Sequence, residues 1–199
     1  MFEICENILP SKYADRIERE LLSTSFNWNF NKNTADPNYK FSNKNILDTE
    51  QFTFKFYDAD MFNPVSDKKF DFIIPMQYIF EQKFSIDISH CVRVKANLLL
   101  QKVGFNTHNY NTPHVDLVSN EGFRALSILY YVNDSDGDTV FFNEYASNNP
   151  VHLTEYKRLT PKKNSAIIFD SDRYHASCNP LKNNYRCVIN FITEVSLAN

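Results

Sequence analysis

The first ninety residues alternate between helical and extended signals. After Pro10, the segment Ser11 to Leu22 places apolar Tyr13, Ile17 and Leu21 at four-residue intervals, the pattern of a capped amphipathic helix that packs on a sheet. Gln51-Phe52-Thr53-Phe54-Lys55-Phe56-Tyr57 alternates as a half-buried strand does. Between them, residues 31–50 are rich in Asn, Lys and Asp without apolar periodicity, and read as a long loop able to close over a bound molecule. A second helix is predicted from about Ser66 to Lys83, where Phe70, Phe72, Ile73, Ile74, Met76, Tyr78 and Ile79 cluster; Pro75 kinks or splits it.

From Cys91 the pattern changes to short apolar runs separated by turn residues. Val92–Leu100, Ala125–Val132, Thr139–Phe142, Ala166–Phe169 and Tyr185–Ile192 all have strand composition. Asn133-Asp134-Ser135-Asp136-Gly137-Asp138 and Asn179-Pro180-Leu181-Lys182-Asn183-Asn184 are turn signals between them. Many short strands preceded by helices predict a mainly β protein with flanking helices, an antiparallel double-sheet barrel of jelly-roll type. The expected organisation is one domain over 1–199, with 1–90 as helical and strand support and 91–195 as the core.

Composition narrows the function classes. A chain of 199 residues with 43% apolar positions buries one sizeable core. The net charge of −3 offers no broad cationic surface for nucleic acid or an anionic membrane. Cys5, Cys91, Cys178 and Cys187 form no C-x-x-C pair and read as reduced thiols. The N-terminus carries Glu3 and Glu6 where a signal peptide needs basic residues, and no stretch nears the ~20 apolar residues of a membrane span, so a cytoplasmic location is expected. Three glycines, Gly104, Gly122 and Gly137, cannot build a glycine-rich phosphate loop.

Candidate chemistry centres on His114-Val115-Asp116, which on extended backbone puts an imidazole and a carboxylate on one face. Two His and one carboxylate on one side of Fe(II), with the opposite positions open, is the ligand set of oxygen-activating iron sites. His175, in Tyr174-His175-Ala176-Ser177, is the best second histidine. If the turn at 179–184 closes a hairpin, Ser177 lies opposite Arg186 and His175 opposite Val188, so His175 and Arg186 share a face. A dicarboxylate could then chelate the metal at one end and pair with the guanidinium at the other. Taken singly, an H-x-D in a turn, a hydrogen-bonded His and a solvated strand Arg all have plain structural readings. Their order and spacing together, with His175 61 residues after His114 and Arg186 11 further on, point to a metal site. His108 and His152 read as loop residues, and Lys95 and Arg124 are the next bases to consider should Arg186 not serve.

These motifs make the sequence resemble the 2-oxoglutarate/Fe(II) oxygenase superfamily, in its prolyl 4-hydroxylase-like branch and its short phage and bacterial forms. His114-Val115-Asp116 resembles the H-x-D, Tyr130-Tyr131-Val132-Asn133 the Y-Y-L-N strand, and Asp136-Gly137-Asp138-Thr139-Val140-Phe141 the G-G-x-T-x-F segment. The run from Pro161 to Phe169 resembles P-x-x-G-x-x-x-x-F, with Asn164 for the glycine; Asn tolerates the left-handed backbone such a turn needs. The resemblance implies a double-stranded β-helix core, Fe(II) on His114, Asp116 and His175, and 2-oxoglutarate as co-substrate on Arg186 and Tyr131. It also implies dioxygen as oxidant, with ascorbate as an accessory reductant. The implied reaction is hydroxylation of a C–H bond in peptidyl proline or a small amino-acid-like molecule, with release of succinate and CO2. Halide-transferring relatives replace the carboxylate with a small residue, so Asp116 favours hydroxylation. The segment Lys102 to Thr112 is longer than in hydroxylases acting on hypoxia-factor prolines and is expected to rim the site. Two other readings stay open: a non-catalytic jelly-roll module, and a zinc- or manganese-binding protein of cupin type.

Overall fold

The computed structural model describes residues 1–196 except 37, 61, 63 and 121. In chain order the elements are β1 (Phe2–Glu6), α1 (Ser11–Leu21), β2 (Asn29–Asn31), β3 (Gln51–Asp58), β4 (Val65–Ser66), α2 (Phe70–Ile73) and α3 (Pro75–Phe84). The remainder are strands, apart from a short 3₁₀ turn: β5 (Ile88–Leu100), β6 (Phe123–Tyr131), β7 (Thr139–Tyr145), β8 (Glu155–Leu159), β9 (Ser165–Asp170), β10 (Arg173–Ser177) and β11 (Tyr185–Ser196).

Two antiparallel sheets face each other as a jelly roll. The major sheet runs β1-β9-β6-β11-β5-β3-β2 with β4 beside β3, and the minor sheet runs β10-β7-β8. Strand β6 is buried on both faces, as a central strand packed on either side must be. Leu126, Ile128 and Tyr130 point outward beneath the helices, in one cluster with Ile17, Leu21, Met76 and Phe80. Leu129 and Tyr131 point inward and meet Phe141 of the minor sheet, with Ile167, Phe169 and Val188. The inner space between the sheets holds the polar site.

The helices follow their sequence signals. In α1 the buried residues are Ala14, Ile17 and Leu21, and burial of Ile17 and Leu21 stabilises by about 1.5–3 kcal/mol each. No side chain caps α1; its N-cap is Pro10, so the expected capping is absent. Pro75 splits the second helical segment as predicted, sitting in the first turn of α3, where its missing N–H is no loss. Ser66 belongs to β4 and not to this helix. Asn164 has φ 61°, the left-handed turn expected of it, and its side chain bonds Leu9 N–H and C=O at 3.0 and 2.9 Å.

The expected hairpin across residues 179–184 does not form. Strand β10 pairs with β7 in the minor sheet, whereas β11 lies in the major sheet between β5 and β6. The turn is instead a crossover between sheets, anchored by Asp136, whose carboxylate accepts from the N–H groups of Leu181, Lys182 and Asn183. All four cysteines are free thiols. No helix among the described residues is long and apolar enough to cross a membrane.

Candidate active site

His114 and Asp116 lie on the extended segment before β6, and His175 lies on β10. His114 and His175 form an antiparallel bridge in which each backbone N–H donates to the other's carbonyl at 3.0 Å. Their rings are 4.5 Å apart between centroids, and His175 Nε2 is 3.5 Å from Asp116 Oδ2. One donor atom from each of His114, Asp116 and His175 falls within 4.8 Å of the others.

Each donor is held by outer contacts. His114 Nδ1 lies 3.3 Å from Thr112 O and His175 Nδ1 3.1 Å from Arg173 O. A carbonyl only accepts, so both Nδ1 atoms carry a proton and Nε2 is the atom each ring can offer to a metal. Asp116 Oδ2 accepts from Ser127 Oγ at 2.7 Å and Asn190 Nδ2 at 3.0 Å, while Arg93 Nη2 lies 3.4 Å from Oδ1. The one Ser127 proton goes to that carboxylate, so Ser171 must donate to Ser127 across 2.7 Å.

Electrostatics leave the set ready for a cation. Burial, with the neighbouring His175, pushes the His114 pKa down to about 3, so its imidazole is neutral near pH 7. Burial pushes the Asp116 carboxyl up, but His175, His114, Arg93 and the Asn190 amide outweigh it and hold the group well below the ordinary carboxylate range. Two imidazoles and one ionised carboxylate on one side of a cavity fit a divalent iron with open positions opposite.

Arg186, 3% exposed on β11, lines the same cavity. Nε donates to Gly137 O at 2.8 Å and Nη2 to Thr139 Oγ1 at 2.7 Å. Among the described residues no carboxylate lies within salt-bridge distance of it, and burial lowers its pKa. A buried guanidinium without a counter-charge fits an anionic ligand carboxylate, because an unpaired buried charge is strongly unfavourable. Leu99, Leu129 and Val188 add an apolar lining to the same cavity.

The structure brings His114, Asp116, His175 and Arg186 to one cavity, as the sequence predicts, but by facing sheets and not by a hairpin. Tyr131 stands one step back. Its hydroxyl donates to Thr139 Oγ1 at 2.9 Å, and it is Thr139 that lines the cavity. Thr139 thus accepts from both Tyr131 and Arg186, and its own proton is left for a ligand. Sequence reasoning quoted Thr139 inside a motif without singling it out. It also missed Ser127, Asn190 and Arg93; Asn190 could have been found, being four residues beyond Arg186 on one strand face.

The segment 102–112 does not rim the cavity. Phe105 and Tyr110 are buried against Val140, Phe142 and Tyr174 on the outer face of the minor sheet, which draws the segment away. Thr34 and Gln51, from the 31–50 loop and the start of β3, line the cavity instead. His108 and His152 are exposed. Arg124 is paired with Asp170 at 2.6 Å, whereas Lys95 lines the cavity.

Residues 100–193 match the family model described as the 2OG-Fe(II) oxygenase superfamily, and this segment carries His114, Asp116, Thr139, His175 and Arg186. No curated protein matches the chain. Solved structures share its fold at low identity. A prolyl-4-hydroxylase of Pseudomonas putida aligns with TM-score 0.53 and 11% identity, over 98% of this chain and 93% of that one. A prolyl hydroxylase in complex with a hypoxia inducible factor peptide, from Trichoplax adhaerens, aligns with TM-score 0.58 and 14% identity, over 96% and 82%. The epimerase SnoN in complex with Fe3+, alpha ketoglutarate and nogalamycin RO aligns with TM-score 0.60 and 11% identity, over 98% and 78%. The matched segment makes this chain similar to the 2OG-Fe(II) oxygenase superfamily, and the solved structures share its fold; for such a family Fe(II), 2-oxoglutarate and dioxygen are the implied cofactors.

Proposed function

We propose that His114, Asp116 and His175 hold Fe(II), that Arg186 and Thr139 hold the distal carboxylate of 2-oxoglutarate, and that the enzyme hydroxylates a C–H bond of a small-molecule or peptide substrate. The observation that carries this reading is one cavity lined by both the His114, Asp116 and His175 donor group and a buried guanidinium without a counter-charge. When bound, Fe(II) and 2-oxoglutarate supply the oxidising power: one atom of dioxygen enters the substrate and the other succinate, with release of CO2.

The chain's own residues set the geometry. The Nδ1 bonds to Thr112 and Arg173 aim both Nε2 atoms at one point, and Ser127, Asn190 and Arg93 fix the carboxylate plane of Asp116. The apolar lining of Leu99, Leu129 and Val188 suits the methylene carbons of the co-substrate and keeps bulk water from the ion pair at Arg186, where low dielectric strengthens it. Tyr131 is a positioning residue acting through Thr139. The anionic Asp116 occupies the position a halide would need, which favours hydroxylation.

Aerobic incubation with Fe(II) and 2-oxoglutarate tests this reading. Succinate should form, stimulated by substrate, and should fall to background in Asp116→Ala and His175→Ala. Succinate formation that survives in either variant, or that zinc supports equally well, contradicts the assignment.

A further inference from the structure

A second cation lines the same cavity. Lys95, on β5, faces into it, and among the described residues its ammonium makes no ion pair or hydrogen bond. The two nearby carboxylates are engaged elsewhere. Asp58 is paired with Lys55 at 2.7 Å, and Asp116 is held by Ser127, Asn190 and Arg93. Burial, helped by the neighbouring Arg93, brings the Lys95 pKa down to about 8, so the group still carries its charge near pH 7.

The groups beside it lack partners of the opposite kind. Sheet register sets Lys95 directly opposite Asn190 and sets Asn97, two residues along the same face, opposite Val188. Asn97 Oδ1 and Asn190 Oδ1 are both buried with no donor. In Asn190 the orientation is chemically fixed, because its Nδ2 must be the atom that donates to Asp116. Among the described residues the cavity therefore presents one positive charge lacking an anion, one fixed acceptor lacking a donor at Asn190, and at Asn97 an amide without a hydrogen bond whose oxygen can accept. 2-Oxoglutarate cannot supply the missing donors, since it has no N–H or O–H at neutral pH.

We propose that the substrate is a free amino acid, whose carboxylate pairs with Lys95 and whose ammonium group donates to Asn97 and Asn190; this rests on the oxygenase reading of the same cavity. An internal peptide residue carries neither charge and would leave Lys95 unpaired. Lys95 and Asn97 of β5 and Asn190 of β11 are then the residues that set substrate class, and all three line the cavity shared by the donor triad and Arg186.

The test uses the full chain loaded anaerobically with Fe(II) and 2-oxoglutarate. The twenty proteinogenic amino acids, each beside its methyl ester, are titrated in and binding is read by calorimetry. At least one amino acid should bind, with its ester weaker by a factor of about 30 or more, the loss expected when one member of a buried charge pair is removed. Lys95→Met should abolish the acid-over-ester preference and Lys95→Arg should retain it. If Lys95→Met does not fold, the acid-over-ester comparison on the unsubstituted protein decides alone. Binding by none of the twenty, equal binding of acid and ester, or a preference that survives Lys95→Met overturns the proposal. The visible absorption of the Fe(II)–2-oxoglutarate complex is recorded on the same samples. A sample with this band but no amino-acid binding overturns the substrate class and leaves the oxygenase reading standing. A sample without the band overturns both.

Discussion

His114 and His175, 61 residues apart in the chain, are bound to each other through their backbones, N–H to carbonyl in both directions at 3.0 Å. The two imidazoles are therefore placed by main-chain bonds that no side-chain substitution removes. His114→Ala and His175→Ala should each lose Fe(II) binding while keeping the fold. Metal analysis should show iron content near zero, and the melting temperature of the metal-free protein should move by only a few degrees, the size of an effect of about 1 kcal/mol in a chain of this length.

Arg186 and Thr139 make a graded prediction. Loss of the guanidinium in Arg186→Ala should raise the KM for 2-oxoglutarate by the equivalent of about 2–5 kcal/mol, with iron retained. Arg186→Lys should recover part of this, since an ammonium keeps the charge but loses the fork. Thr139→Val removes the acceptor shared by Arg186 and Tyr131, and should raise the same KM by about 1–3 kcal/mol, the cost of an unsatisfied buried group. Tyr131→Phe should have a smaller effect, because its hydroxyl reaches Thr139 and not the cavity. A larger effect for Tyr131→Phe than for Thr139→Val would contradict this order.

Gly137 is required for space. A Cβ there would sit 2.6 Å from Cys178 O, 2.9 Å from Pro180 N and 3.1 Å from Arg186 Cδ, and the first two are backbone atoms that cannot swing aside. Gly137→Ala should destabilise by about 1–3 kcal/mol, or roughly 2–4 °C of melting temperature per kcal/mol. It should also raise the KM for 2-oxoglutarate, because Gly137 O is the acceptor that holds Arg186 Nε. Unchanged melting and KM would remove the close approach from the account.

The metal-free protein should weaken in acid through His114. Its pKa falls from 6.5 in the unfolded chain to about 3 in the fold, so between these values the unfolded chain binds the extra proton. Stability is thus fully present above about pH 6.5 and is lost as the pH drops, by at most about 1.4 kcal/mol per unit. Denaturant melts from pH 7 to pH 4 should show this slope, and His114→Ala should flatten it. An equal slope in the variant would locate the effect elsewhere.

Much of the site was legible because its chemistry lies in short local patterns. His114-Val115-Asp116 needs only extended backbone to share a face, and Pro75 splits a helix wherever it stands. What was not legible depends on strand pairing across long separations. The identity of β10's partner, β7, is not written near His175, so the hairpin argument joined His175 and Arg186 by a route the chain does not take. Strand β1, with the mixed burial of an edge, and the polar run Glu155–Leu159 of β8 carry no clean alternation and went unpredicted. Ser127, Asn190 and Arg93 converge on Asp116 from three adjacent strands of the major sheet, so their convergence appears only once register is known. The segment 102–112 misled because loop length was read without the pull of buried Phe105 and Tyr110.

The central claim is that one cavity holds Fe(II) at the triad and the far end of 2-oxoglutarate at Arg186. Anaerobic addition of Fe(II) and then 2-oxoglutarate, followed by visible absorption, tests it most directly. The account predicts a metal-to-ligand charge-transfer band that forms only with both components, disappears in His175→Ala, and in Arg186→Ala returns only at much higher 2-oxoglutarate. No band in the unsubstituted protein, or a band indifferent to His175→Ala, would contradict it.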